Sequence, residues 1–359
     1  MKEEYFKLLS DLIQCRPVSS DIEAVNKVEK IMKDFLTEKG LYCSEEIING
    51  RHVLYASTRP GKVQDLFLNA HLDVVPAAYE HQYVAKVEGS RLYGRGSTDC
   101  LGNAMAIVQF LVEAGDSVSA CAVFTADEEI GGSTTAEMVA RGYAGRKAAL
   151  VVDGGGYGSI VYSQKGIIVL KLRAFGKGGH SSTPWLLDNP IDRLVAAYSK
   201  LRAAWQNPTA DDPWGNSMTP CILKAGEAHN AIPDVAEMLI NIRYVTDEDY
   251  NKILNMVTEL TGLEYEIIEN CPPVVSETDV PAIKALIQAF SKIDPEHPVK
   301  LSRMCGATDA RHLKSMGIPI GIIGVVGNGI HGKEEYLEMS SVDLFARILR
   351  EYADLLEKI

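Results

Sequence analysis

The stretch Leu66-Phe67-Leu68-Asn69-Ala70-His71-Leu72-Asp73-Val74-Val75-Pro76 sets one histidine and one aspartate into an otherwise apolar run. A short apolar run closed by proline predicts a buried strand over Leu66 to Val75. Residues i and i+2 share a strand face, so His71 and Asp73 are expected to point the same way. Histidine is a good zinc ligand, and a neighbouring carboxylate fixes its tautomer and raises its basicity. A surface His–Asp pair at a strand end would look the same.

Outward from this strand, the first part of the chain alternates helices and strands. Phe6, Leu9 and Ile13 fall on one helical face near the N-terminus. A helix is predicted over Ile22 to Lys39, with Asp21 as N-cap and Gly40 at the C-cap. Further apolar strands are predicted at Ser119 to Phe124 and Ala148 to Val152. An apolar helix, Asn103 to Ala114, precedes them and closes at Gly115. Buried apolar strands alternating with helices give an α/β fold with a mixed sheet flanked by helices.

Near Ser163 the pattern changes. Ile167 to Phe175 and Ala236 to Tyr244 alternate apolar and polar, as half-exposed strands do. Helices are predicted at Pro190 to Trp205 and Asp247 to Thr261. Residues 166–273 therefore form a smaller α+β domain inserted into a larger one made of 1–165 and 274–359. After Cys271-Pro272-Pro273 the α/β character returns. It brings a helix over Pro281 to Ile293, a strand over Ile318 to Val326 and a C-terminal helix from Val342.

The bulk composition narrows the function. At 46% hydrophobic and 23% charged, the 359 residues describe a folded, soluble chain rather than a disordered one. A net charge of −12 with no basic run argues against nucleic acid or an anionic membrane as partner. The N-terminus lacks the unbroken apolar stretch of a secretory signal. The longest apolar run, Gly317 to Gly327, is too short to span a bilayer. Seven scattered cysteines with no Cys-x-x-Cys pair point to reduced thiols in a cytoplasmic protein.

Four further motifs carry acids or histidine at strand ends or the turns after them. Gly94-Arg95-Gly96-Ser97-Thr98-Asp99 leads into the apolar helix, where Asp99 could cap it or bridge two cations. Thr125-Ala126-Asp127-Glu128-Glu129-Ile130-Gly131-Gly132 places three consecutive acids after a buried strand. Their mutual repulsion is most readily offset by a cation, though a solvated acidic turn would also serve. Asp153, in Val151-Val152-Asp153-Gly154-Gly155-Gly156, lies where α/β sheets hold their ligands. Gly329-Ile330-His331-Gly332-Lys333-Glu334-Glu335-Tyr336 adds the second histidine. Two histidines and several carboxylates fit the mixed N/O ligation of a divalent metal. Neither G-x-G-x-x-G nor a P-loop is present, which speaks against a nucleotide-dependent enzyme. No serine lies in a G-x-S-x-G elbow.

Taken in order, these motifs resemble the co-catalytic zinc amidohydrolases. That family includes acetylornithine deacetylase, succinyl-diaminopimelate desuccinylase, aminoacylase and carboxypeptidase G. The resemblance covers nearly the whole chain and implies a role for each residue. His71 and Asp153 would hold one ion, Glu129 and His331 the other, and Asp99 would bridge them. Asp73 would orient His71, and Glu128 would be the general base. In Gly176-Lys177-Gly178-Gly179-His180-Ser181-Ser182, His180 would stabilise the oxyanion, reaching a neighbouring subunit's site. Asn230, Arg243, Asp309 and Arg311 match positions near the substrate.

The same resemblance implies two divalent ions, zinc first, with cobalt or manganese as alternatives. It implies a homodimer through the inserted lid and dimerisation domain. The expected activity is hydrolysis of an amide in a small carboxylate-bearing molecule, an N-acyl amino acid ahead of a dipeptide or a C-terminal peptide bond. A non-catalytic metal-binding module is the rival of another class, and Glu128, which metal holding does not need, stands against it. Two departures from relatives touch the site. Cys100-Leu101-Gly102-Asn103 replaces Met-Lys-Gly-Gly after Asp99, and Glu334 replaces the asparagine usual after the late histidine. Both bear on substrate identity more than on metal binding.

Overall fold

A computed structural model describes residues 1–154, 156 and 158–359. The chain divides into two compact units. The first comprises Met1–Tyr162, Val275–Ser302 and Thr308–Ile359; the second comprises Ser163–Val274 with Arg303–Ala307. No sequence signal marked the short return of residues 303–307.

The first unit is built on a mixed sheet. Among the described residues, six of its nine strands run in the order Tyr42–Ile48, Arg51–Ser57, Ala120–Thr125, Val63–His71, Ala144–Val152, Ile320–Ile323. The last four of these are mutually parallel, and the hairpin 42–57 adds an antiparallel edge. Ala120–Thr125 is buried along its whole length, as expected of a strand covered on both faces. Leu101–Ala114 is apolar nearly all round and correspondingly buried. It packs with Met339–Leu356, which in turn packs on Pro281–Ile293. Asp21 caps the helix Ile22–Glu38 by accepting the Ala24 N–H at 3.0 Å, and Gly40 follows that helix with a φ of 84°.

Three local expectations shift. The strand through His71 ends at that residue, so Asp73 lies beyond it rather than on its face. The late strand is only Ile320–Ile323. A Cβ on Gly324 would come within 2.7 Å of the Gly154 carbonyl, so the chain passes too close to its neighbour for the strand to continue with side chains. The N-cap of Leu101–Ala114 is Cys100, not Asp99. A small antiparallel sheet, in the order Gly327–Asn328, Tyr336–Glu338, Arg91–Tyr93, Lys86–Glu88, was not foreseen.

The second unit is an antiparallel sheet in the order Ser217–Ala225, Val235–Tyr244, Gly166–Phe175, Glu264–Cys271. Val235–Tyr244 alternates buried and part-exposed residues. Its buried side meets the helices Pro190–Ala204 and Asp247–Thr261. Among the described residues, no helix is long and apolar enough to cross a membrane.

Candidate metal centre and active site

The parallel strands of the first unit all end at one edge of the sheet, where α/β folds gather their ligands. His71 closes one strand, Asp127 to Glu129 follow the strand ending at Thr125, and Asp153 follows the one ending at Val152. Asp99 enters from the turn before Leu101–Ala114 and His331 from the loop before Tyr336–Glu338.

Asp99 is the hinge of the constellation. Its Oδ1 lies 3.0 Å from His71 Nε2 and its Oδ2 lies 3.0 Å from His331 Nε2. Around this pair, Asp153 Oδ1 is 3.6 Å from His71 Nε2, and Glu129 Oε1 is 3.1 Å from His331 Nε2. His331 reaches inward from a left-handed backbone, φ 60°, a conformation uncommon outside glycine. Asp99 therefore does not cap the helix: its carboxylate is turned to the two imidazoles. Gly155 of the Asp153 motif lies outside the described residues.

Asp73 performs two tasks at once. It is fully buried. Its Oδ1 is 3.4 Å from His71 Nδ1 and accepts the Glu128 backbone N–H at 3.2 Å. Its Oδ2 accepts the Ser19 hydroxyl at 2.6 Å and the Glu129 N–H at 3.3 Å. Asp73 thus holds the imidazole, through its carbonyl 2.9 Å from His71 Nδ1 with the carboxylate behind it, and the turn that carries Glu128 and Glu129. Burial opposes its charge, but the hydrogen bonds from His71, Ser19 and Glu128 keep it below the usual carboxylate range. We expect Asp73→Asn to weaken metal affinity about 10–100-fold, because an amide can present only one acceptor to these donors. Metal titration of the purified variant checks this; an unchanged affinity would sink the role.

Asp127 turns away from its two acidic neighbours. It accepts the Ser133 hydroxyl at 2.6 Å, the Thr134 N–H at 3.2 Å and the Thr134 hydroxyl, at the start of Ser133–Ala140. Its charge is met by that helix N-terminus, so Glu128 and Glu129 alone face the site.

Glu335 gives His331 a deeper support that the sequence motifs do not reveal. Glu335 is buried against Arg95, whose guanidinium lies 2.5 Å away. It also accepts the backbone N–H groups of Gly96 at 3.1 Å, Thr98 at 3.0 Å and Asp99 at 3.1 Å. Arg95 in turn donates to the carbonyls of His331 and Gly332. One carboxylate and one guanidinium therefore clamp the loop of Asp99 to the loop of His331. Breaking a buried pair of this kind costs roughly 3–5 kcal/mol. The only sequence signal was the bare Glu335 after a replaced asparagine.

The electrostatics fit a cation. Burial and the neighbouring Asp153 charge push Glu128 up to about 9. Burial pushes Glu129 up to about 7 and Asp153 up to about 6. Hydrogen bonding to Asp99 raises His331 to about 9. Asp99 is held low, against burial, by its hydrogen bonds to His331 and His71. Crowded carboxyls pushed upward by burial, beside imidazoles with converging nitrogens, are a donor set suited to divalent metal.

Arg311 is buried near the same edge, its guanidinium 3.8 Å from Glu128 Oε1. Asp309, expected near the substrate, lies buried beside this edge, and its Oδ1 has no hydrogen-bond partner among the described residues. It is 1% exposed. Its Oδ2 accepts the hydroxyls of Thr125 at 3.0 Å and Thr135 at 2.5 Å, so it ties a strand end to a helix.

His180, Asn230 and Arg243 belong to the second unit. His180 Nδ1 accepts the Ser182 backbone N–H at 3.2 Å, which leaves its neutral form protonated at Nε2. The Asn230 carbonyl accepts the Ser181 N–H at 3.0 Å. Arg243 Nε donates to Asn241 Oδ1 at 3.1 Å.

Residues 67–355 match the profile of Peptidase family M20/M25/M40. The relative "Probable succinyl-diaminopimelate desuccinylase" of Staphylococcus aureus strain MRSA252 is 24% identical over 404 aligned positions, covering 98% of each chain. Among solved structures, an M20 family metallo-carboxypeptidase of Sulfolobus solfataricus superposes with a TM-score of 0.80 at 16% identity, covering 100% of both chains. A dinuclear metal-binding peptidase of Bacillus subtilis gives a TM-score of 0.71 at 16% identity, covering 99% of this chain and 98% of its own.

Proposed function

The chain belongs to Peptidase family M20/M25/M40 and is a metal-dependent hydrolase of amide bonds, and on that premise we propose that it deacylates N-acyl amino acids. The carrying observation is Asp99, whose two oxygens each face one imidazole with Glu128 held beside them. We assign His71, Asp99 and Asp153 to one zinc ion and His331, Asp99 and Glu129 to a second. When bound, such a pair acidifies water and polarises a carbonyl. Glu128 takes the proton of the attacking water and returns it to the departing nitrogen. Arg311 or Arg243 holds the substrate carboxylate, as a planar guanidinium does best. His180 supplies an N–H to the oxyanion in a neighbouring subunit's site.

The desuccinylase relative, matched along nearly its full length, supports an acyl group on an amino acid over a peptide. The exposed free thiols Cys221 and Cys305 support a reducing, cytoplasmic setting, which cell fractionation checks. A homodimer is supported by the strand Ser217–Ala225, an edge strand with Ile222 44% and Leu223 59% exposed. A monomer mass in solution would remove that proposal.

The deciding experiment is a panel of N-succinyl and N-acetyl amino acids and dipeptides with added zinc, cobalt or manganese. We expect the N-acyl amino acids to exceed the dipeptides in kcat/KM by at least about tenfold, a difference that contacts to one acyl group can supply. A preference for dipeptides would make the protein a peptidase. No hydrolysis by the zinc-loaded chain would leave a metal-binding module. The same panel on His180→Ala tests that residue, since unchanged turnover would remove it.

A further inference from the structure

Away from the strand ends, Glu29 sits mid-helix in Ile22–Glu38 and is 0% exposed. Neither of its carboxylate oxygens has a hydrogen-bond partner among the described residues. A buried carboxylate in that state is strongly disfavoured unless it holds a proton or meets a cation. Its surroundings are arranged for the second outcome. His52 Nδ1 lies 3.9 Å from Glu29 Oε2 and 3.2 Å from Glu45 Oε1. One donor atom from each of the three residues falls within 4.8 Å of the other two.

The geometry follows from the fold. In the antiparallel hairpin His52 stands opposite Ile47, which makes Glu45 its diagonal neighbour on the same face. Asn26, one turn before Glu29 on the helix, fixes the hairpin in place. It accepts the His52 backbone N–H at 2.8 Å and donates to the Gly50 carbonyl at 2.9 Å. Lys33, one turn after Glu29, lies 2.8 Å from Glu45 Oε2 and so leaves Oε1 on the side of His52. His52 and Glu45 are 33% and 23% exposed, which lets water complete a coordination shell.

We propose that Glu29, Glu45 and His52 form a separate site for one divalent transition-metal ion of the zinc class. Two carboxylates and one imidazole are a donor set for such an ion, and three protein ligands leave room for water. An ion there would pin the edge hairpin to the helix and neutralise Glu29. The competing arrangement is a proton held by Glu29, whose pKa burial, and after it the Glu45 charge, push up to about 7. The site does not rest on the proposed deacylase activity.

The test counts zinc per full-length chain by elemental analysis after dialysis against micromolar zinc. His52→Ala and Glu29→Gln are each expected to bind about one ion fewer than the parent, with hydrolysis unchanged. In the Asp99→Asn background, whose loss falls at the strand-end site, adding His52→Ala should remove about one further ion. Cobalt-loaded parent minus cobalt-loaded His52→Ala should leave a visible d–d absorption band. Equal zinc counts in parent and variants would overturn the site and assign the proton to Glu29. Should Glu29→Gln fail to fold, His52→Ala, on the wetter side of the cluster, decides alone.

Discussion

Glu128→Gln is expected to lower turnover about 10³-fold while the chain keeps its full metal complement. Glutamine matches glutamate in shape but has no basic oxygen with which to take a proton. The backbone around it should not move, because the Glu128 N–H stays bonded to Asp73, 3.2 Å away. Arg311, 3.8 Å from the carboxylate, loses a charge partner but remains buried where it is. The loss should therefore fall on kcat rather than KM, the pattern of a group acting in the transition state. Elemental analysis beside steady-state kinetics reads both quantities. A variant that turned over like the parent with both ions bound would take the base from Glu128.

Asp99→Asn separates metal holding from proton transfer. The variant keeps the volume of Asp99 and its backbone N–H bond to Glu335 at 3.1 Å. It replaces one of two oxygens, each 3.0 Å from an imidazole nitrogen, with an amide nitrogen that cannot ligate. Charge at the centre of the site falls as well. We expect the chain to lose at least about one ion and turnover to fall by roughly 10³-fold or more. The contrast with Glu128→Gln is the informative part, since one variant should lose ions and the other should not. An Asp99→Asn chain with the parent's metal content would sink the shared-carboxylate arrangement.

How much of this was legible depends on the range of the interaction. His71, the acids after Thr125, and Asp153 stood out because each ends an apolar strand, and strand ends are a local feature of sequence. The second unit's two central strands, Gly166–Phe175 and Val235–Tyr244, were legible as strands from alternation alone. Asp73 was legible as a partner of His71. Its grip on the Glu128–Glu129 turn was not, because it crosses 55 residues of chain. Asp309 stood out only as part of a loop near the substrate, and its tie through Oδ2 to Thr125 and Thr135 was not legible. Three consecutive acids looked alike until Asp127 was seen to serve a helix. Pairs that far apart leave no periodicity to read.

The clamp of Arg95 and Glu335 spans 240 residues. During synthesis the ribosome delivers residues in order from the N-terminus. A nascent chain emerging with His71, Asp99, Glu129 and Asp153 already in hand still lacks His331 and the anchor for its loop until the last stretch of translation. Premature termination between Asp153 and His331 would thus yield a polypeptide carrying four of the five proposed ligands and none of the closure.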